Sequence, residues 1–197
     1  LGSTDNITMV AEIITDYPDI PLILDPILAS GRGDELVDSE MIEAMVQLLF
    51  PLATLITPNS SEAKKLVSDE GEETSDIKID ECASRFINMG SKNILITGTH
   101  EKTKKVVNTF YSNDGGVKPF QWERLEGSYH GSGCTLASAI AGYCAQGFLL
   151  EAAVEEGQYF TWQALKNAFK AGMGQAIPDR FFWINHKEQD GGRYTHH

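Results

Sequence analysis

Short, continuously apolar runs alternate with longer stretches of helical periodicity along most of this chain, and that alternation restricts it to a layered α/β sheet. Pro21-Leu22-Ile23-Leu24-Asp25, Thr54-Leu55-Ile56-Thr57 and Asn93 to Thr97 lack the polar alternation of a half-exposed strand. Strands of that kind are covered on both faces, as in a parallel sheet between two helical layers. The intervening segments read as helices. One runs from Ser3 to Ile14 with Ser3 or Thr4 as its cap. A second is opened by Asp38 or Ser39, buries Met41, Ile42, Met45, Leu48 and Leu49, and ends at Pro51. A short helix carries Ala63, Leu66 and Val67, and another spans Asp80 to Met89, after the acidic segment Asp69 to Asp76, which reads as a solvated loop. Val106 to Tyr111 and Phe120 to Leu125, joined by Asn113-Asp114-Gly115-Gly116, read as an antiparallel hairpin. Helices over Thr135 to Gln146 and Glu151 to Phe169 complete the pattern. The expected fold is a single α/β domain over residues 1–197, a three-layer sandwich with a mostly parallel central sheet flanked by helices and an antiparallel hairpin at one end.

A formal net charge of −12 argues against nucleic acid and anionic membranes as partners. No apolar run approaches bilayer-spanning length and the first residues do not read as a signal peptide, so a cytoplasmic protein is expected. Cys82, Cys134 and Cys144 are too few and too irregularly spaced for a disulfide framework or a structural zinc site. A phosphate ligand would need a local positive site inside this negative molecule, with a divalent cation as its companion.

Ser128-Tyr129-His130-Gly131-Ser132-Gly133-Cys134 supplies such a site: a glycine turn leading into an apolar helical run with Leu136, Ile140, Tyr143 and Cys144 on one face. Gly131 and Gly133 leave no side chain between backbone N–H groups and an anion, and the helix adds the positive end of its dipole. At that position the thiol of Cys134 is expected to have a lowered pKa. The spacing matches neither the Walker phosphate loop nor the dinucleotide fingerprint. Three further polar sets stand at strand ends, where open α/β sheets keep their chemistry: Asp25-Pro26, Thr57-Pro58-Asn59 with Glu62, and Thr97-Gly98-Thr99-His100. Asp25 with Asn59 and Glu62 suits a hydrated magnesium ion. Asn59 and Glu62 equally match a helix capping arrangement, and both readings stand at this point. His130 is read either as a phosphate contact or as a loop-fixing residue. The aromatic cluster Tyr159, Phe160, Trp162, Phe169, Phe181, Phe182 and Trp183 is expected to be helix core and C-terminal docking.

These motifs, in this order, together with Gly172-Met173-Gly174-Gln175 and Pro178-Asp179-Arg180-Phe181-Phe182-Trp183, resemble the hydroxymethylpyrimidine and phosphomethylpyrimidine kinases of thiamin biosynthesis, members of the ribokinase-like superfamily. The resemblance implies ATP- and Mg2+-dependent phosphorylation of 4-amino-5-hydroxymethyl-2-methylpyrimidine and of its monophosphate. It implies Cys134 as base or phosphate-positioning residue and Gly131, Ser132 and Gly133 as the anion hole. Glu62, Asn59 and Asp25 would form the magnesium-water network, and Thr97 and Gly98 would line the nucleotide phosphates. A homodimer is the expected assembly. Two departures stand out. The βαβ portion with which the family normally begins is not present before Leu1, so the domain is expected to be N-terminally incomplete. Arg32, in Ala29-Ser30-Gly31-Arg32-Gly33, takes the place of a lysine common in relatives. Pyridoxal kinase activity and a catalytically crippled nucleotide-binding fragment are the alternatives. His196 and His197 are assigned no function.

Overall fold

A computed structural model describes residues 1–29, 36–69, 71–101 and 103–186. Arg32, His196 and His197 lie outside the described residues. Strands β1 (Ile23–Leu24), β2 (Leu55–Ile56), β3 (Asn93–Ile96), β4 (Lys105–Ser112) and β5 (Val117–Glu123) form one sheet in the order of the chain. β1–β2 and β2–β3 are parallel, whereas β3–β4 and β4–β5 are antiparallel, so the sheet is mixed with the hairpin at one end.

Burial explains why the parallel strands read as unbroken apolar runs. Leu24, Ile56, Ile94 and Ile96 join a core with helices α1 (Thr4–Asp16), α2 (Ser39–Ala44), α3 (Ser60–Val67) and α4 (Ile79–Asn88). The neighbouring residues Leu55 and Leu95 face the other way, into a second core with Phe110, Phe120, Leu136, Ile140, Ala153 and Val154. That layer is built by α5 (Ser132–Ala145) and α6 (Leu150–Lys166), and a short α7 (Phe182–His186) follows. Successive strand residues point to opposite faces, so three layers need both to be apolar.

Several boundaries differ from the sequence expectation, each for a local reason. Met45–Leu49, which continues α2, is wound as a π-helical turn; it rotates Leu48 out to 37% exposure while Leu49 remains buried. β5 begins before Pro119, not at Phe120, because an edge strand tolerates a residue without an N–H. α6 stops at Lys166, and Phe169 instead exchanges backbone hydrogen bonds with Ile177 at 3.1 and 2.9 Å. The acidic segment is fastened, not simply solvated: Glu72 takes two hydrogen bonds from Arg85, at 2.6 and 2.8 Å, and is held down to about pKa 2 by them. Part of the aromatic cluster docks the C-terminal segment as expected, with Phe182 and Trp183 packed against Phe160 at centroid distances of 5.5 and 5.6 Å, whereas Tyr159, Phe169 and Phe181 are exposed and do not belong to the core.

Candidate active site

The parallel register brings the strand-end sets to one edge of the sheet. Leu24 is opposite Ile56, and Asn59 bridges Thr97, so Asp25, Asn59 and Thr97 follow the carboxyl ends of adjacent strands. Asn59 is the N-cap of α3. Its Oδ1 accepts from the N–H groups of Ser61 and Glu62, while Glu62 Oε2 accepts from the Asn59 N–H at 2.9 Å. The capping reading is therefore realised. It does not exhaust Glu62, whose carboxylate also accepts from the Leu28 N–H and lies close enough to Asp25 to be repelled by it.

Helix α5 comes from the opposite layer and starts inside the glycine loop, three residues before the expected Thr135. Gly131, at φ 83°, is its N-cap, in the left-handed region that favours glycine. Ser132, Gly133 and Cys134 form its first turn, and Thr135 donates its N–H back to the Gly131 carbonyl at 3.0 Å. The amides of a first turn have no intrahelical acceptor, so this loop presents donors directly. A side chain at Gly133 would begin 3.8 Å from Asp25 Oδ1, which places the first turn of α5 against the carboxylate that ends β1.

Electrostatics at this junction reverse the expected direction of the Cys134 pKa. The residue is exposed, yet partial burial of its sulfur, the charge of Asp25 and a hydrogen bond to Asp25 raise the thiol pKa, outweighing the lowering by Arg180. Cys134 is thus placed as a donor to the Asp25 carboxylate, with its thiol held above the ordinary value. Burial likewise raises Asp25 above the ordinary carboxylate value, and its Oδ2 is buried without a hydrogen-bond partner. Glu62 is raised by burial and by Asp25.

Two carboxylates held close enough to repel, one with an orphaned oxygen, fit a cation that brings its own waters. Among the described residues no three His, Cys, Asp or Glu side chains form a complete metal cage. A magnesium ion here would complete its shell from water and ligand phosphates.

Thr97 and Gly98 are positioned by other means. The Thr97 N–H donates to the Pro58 carbonyl at 2.9 Å, and the Gly98 N–H donates to Asn108 Oδ1 at 3.1 Å. A Cβ on Gly98 would fall 2.2 Å from the Val107 carbonyl oxygen, so β4 itself requires the glycine. Asn108 Nδ2 and Trp122 Nε1 both donate to Gln158 Oε1, at 2.9 and 3.0 Å, tying this strand end to α6. Arg124 fastens the following loop, donating to the carbonyls of Thr99, Glu101 and Thr103. His130 is exposed and fixes the glycine loop through its backbone N–H, which donates to Ala176 at 2.9 Å. Sequence reasoning gave no role to Asn108, Gln158, Arg124 or Arg180.

A layered sheet with acidic strand ends, met by a glycine-started helix from the other layer, suits a phosphate-bearing ligand and its cation, and the similarities that follow make the class a phosphotransferase. Residues 1–179 match the phosphomethylpyrimidine kinase family. The hydroxymethylpyrimidine/phosphomethylpyrimidine kinase of Staphylococcus aureus strain N315 is 27% identical over 194 residues, covering 96% of this chain and 69% of its own. The thiamine biosynthesis bifunctional protein ThiED of Geobacter sulfurreducens is 32% identical over 178 residues, covering 88% of this chain and 35% of its own. The ADP complex of Bacillus subtilis pyridoxal kinase superposes with a TM-score of 0.81 at 27% identity, over 93% of this chain and 69% of that one. Phosphomethylpyrimidine kinase from Clostridium difficile 630 superposes with a TM-score of 0.67 at 27% identity, over 84% of this chain and 66% of that one. The chain belongs to the phosphomethylpyrimidine kinase family.

Proposed function

We propose that this chain transfers the terminal phosphoryl group of ATP to the hydroxymethyl group of 4-amino-5-hydroxymethyl-2-methylpyrimidine, and then phosphorylates the resulting monophosphate. The observation that carries the reading is the junction of Asp25, Glu62 and the first turn of α5, in a chain matched to the family over residues 1–179. Magnesium-bound ATP supplies the electrophilic phosphorus and neutralises charge on its phosphate oxygens.

This chain's residues position the reactants and accept a proton. The first-turn amides of Ser132, Gly133 and Cys134 hold the phosphoryl oxygens where negative charge gathers, and need no reorganisation to do so. Asp25 and Glu62 hold the hydrated cation. The proton leaving the alcohol passes to Cys134 as its thiol proton moves to Asp25, its hydrogen-bond partner. Such a relay keeps the basic role near Cys134 without a free thiolate. Thr97 and Gly98 line the nucleotide through shape and the Thr97 side chain, since the Gly98 N–H is already taken. An open groove of about 780 Å³, lined in part by Tyr129, Lys166, Lys170 and Gln175, adjoins the loop and accommodates the nucleoside end.

Pyridoxal phosphorylation is the second reading, favoured by the superposition on the Bacillus subtilis pyridoxal kinase at a TM-score of 0.81. The deciding experiment incubates the chain with Mg-ATP and either the pyrimidine alcohol, its monophosphate or pyridoxal, and identifies products by mass spectrometry. The pyrimidine diphosphate supports the first reading. Pyridoxal phosphate alone supports the second, and nucleotide binding without any product reduces the chain to a binding module. The exposed apolar residues Met9, Ile13 and Tyr17 on and beside α1 support association into a homodimer.

A further inference from the structure

We infer that Arg180 is a further catalytic residue of this site, contacting the transferred phosphoryl group through its terminal guanidinium nitrogens. The inference rests on the kinase reading above and adds a full positive charge of the protein's own at the anion loop. First-turn amides and a helix dipole offer only partial charges, whereas the molecule as a whole carries −12.

The placement of Arg180 is specific. Its Nε donates to Thr135 Oγ1 at 3.1 Å, and the Thr135 hydroxyl donates to the Gly131 carbonyl at 2.7 Å. The root of the guanidinium is therefore fixed to the start of α5. Its Nη2 lies 3.3 Å from the point where a Gly131 side chain would begin, on the rim of the anion loop. Among the described residues neither Nη atom makes a hydrogen bond or ion pair. The charge is close enough to Cys134 to lower its thiol pKa against the opposing effect of Asp25.

The backbone carrying the residue is anchored on both sides. Pro178 is buried, the Asp179 N–H donates to the Ala164 carbonyl at 2.9 Å, and Asp179 Oδ1 accepts from the Phe181 N–H at 2.9 Å. Phe182, 5% exposed, inserts against Phe160. A planar guanidinium with one nitrogen pinned and two free, held beside phosphate-binding amides, has the geometry for charge-assisted bonds to phosphoryl oxygens.

The test compares wild type with Arg180→Gln and Arg180→Lys. Glutamine keeps an N–H donor for Thr135 but no charge, so a purely structural role would survive it. Calorimetry with inorganic tripolyphosphate, a probe that needs neither the nucleoside nor turnover, is expected to show about tenfold weaker binding for Arg180→Gln. Arg180→Lys is expected to fall between. In steady-state assays kcat is expected to drop by about 100-fold for Arg180→Gln, with the pyrimidine KM little changed. The inference is overturned if wild type does not bind tripolyphosphate, or if Arg180→Gln binds it equally and turns over normally. Product from wild type together with an unaffected Arg180→Gln would remove this inference and leave the kinase reading intact. Tripolyphosphate binding that depends on Arg180, without product from any acceptor, would keep the anion contact and remove the kinase reading.

Discussion

Replacing Asp25 by asparagine should make the metal-free protein more stable and the enzyme nearly inactive. Asp25 Oδ2 is buried without a partner, its carboxylate repels Glu62, and burial opposes its charge. A buried polar atom left unsatisfied costs about 1–3 kcal/mol. Asparagine removes the charge that repels Glu62 and keeps an oxygen to accept from Cys134. A gain of about 1–2 kcal/mol corresponds to roughly 3–6 °C in Tm for a chain of this size.

The gain should depend on pH with a definite sign. Asp25 and Glu62 have folded-state pKa values raised above the ordinary 3.8 and 4.5. Their unfavourable contribution is absent below those ordinary values, grows as pH rises through the folded-state ones, and is complete above them. Thermal unfolding by circular dichroism, in chelator, should therefore show the two proteins converging near pH 3.5 and the variant ahead at pH 7. Millimolar Mg2+ should raise the Tm of wild type more than that of Asp25→Asn, because a ligand that binds only the folded state stabilises it. Turnover should fall by about 100-fold or more, the range for losing an electrostatic contact to the transition state. Equal or lower stability of Asp25→Asn in chelator at pH 7, or equal Mg2+ stabilisation of both proteins, would refute the reasoning.

Gly131→Ala should lose about 1–2 kcal/mol, the cost of a left-handed backbone for a residue with a Cβ, and should also displace Arg180, whose Nη2 would lie 3.3 Å from the new methyl group; urea denaturation and turnover measure both. Cys134, although exposed, should react with iodoacetamide at pH 8 more slowly than a free thiol, and Asp25→Asn should speed that reaction by removing the charge that raises the thiol pKa, with peptide mass spectrometry separating it from Cys82 and Cys144.

Much of this arrangement could be read from the chain because its signals are local. The runs Leu22-Ile23-Leu24 and Ile94-Leu95-Ile96 announce two-sided burial, and Gly131-Ser132-Gly133 announces a tight turn ahead of a helix. Asn59 and Glu62, three residues apart, announce a cap. What stayed hidden depends on partners distant in sequence. The helix-terminus argument lowers the Cys134 pKa, but burial of the sulfur together with Asp25, delivered from the end of β1, reverses the sign. Arg180 stands in one of the motifs read from the sequence, but nothing local gave it a role, since its contact, Thr135, is 45 residues away. Asn108 and Gln158 read as ordinary polar positions in a strand and a helix, and only the fold shows them buried against each other. The π-helical turn that exposes Leu48 leaves the apolar pattern unchanged and is invisible to periodicity.

The amide pair behind Gly98 has a fixed polarity. Gln158 Oε1 accepts from two donors while its Nε2 donates to the Val154 carbonyl at 3.1 Å, so this side chain cannot flip without breaking all three bonds. Asn108 is oriented in turn, with its oxygen facing the Gly98 N–H. The end of β3 is thereby a wall whose nearest backbone donor is already engaged, and under the proposed function the burden of holding an anion falls on the mouth of α5. A site divided in this way would separate recognition of shape from recognition of charge, so that the two could be altered independently.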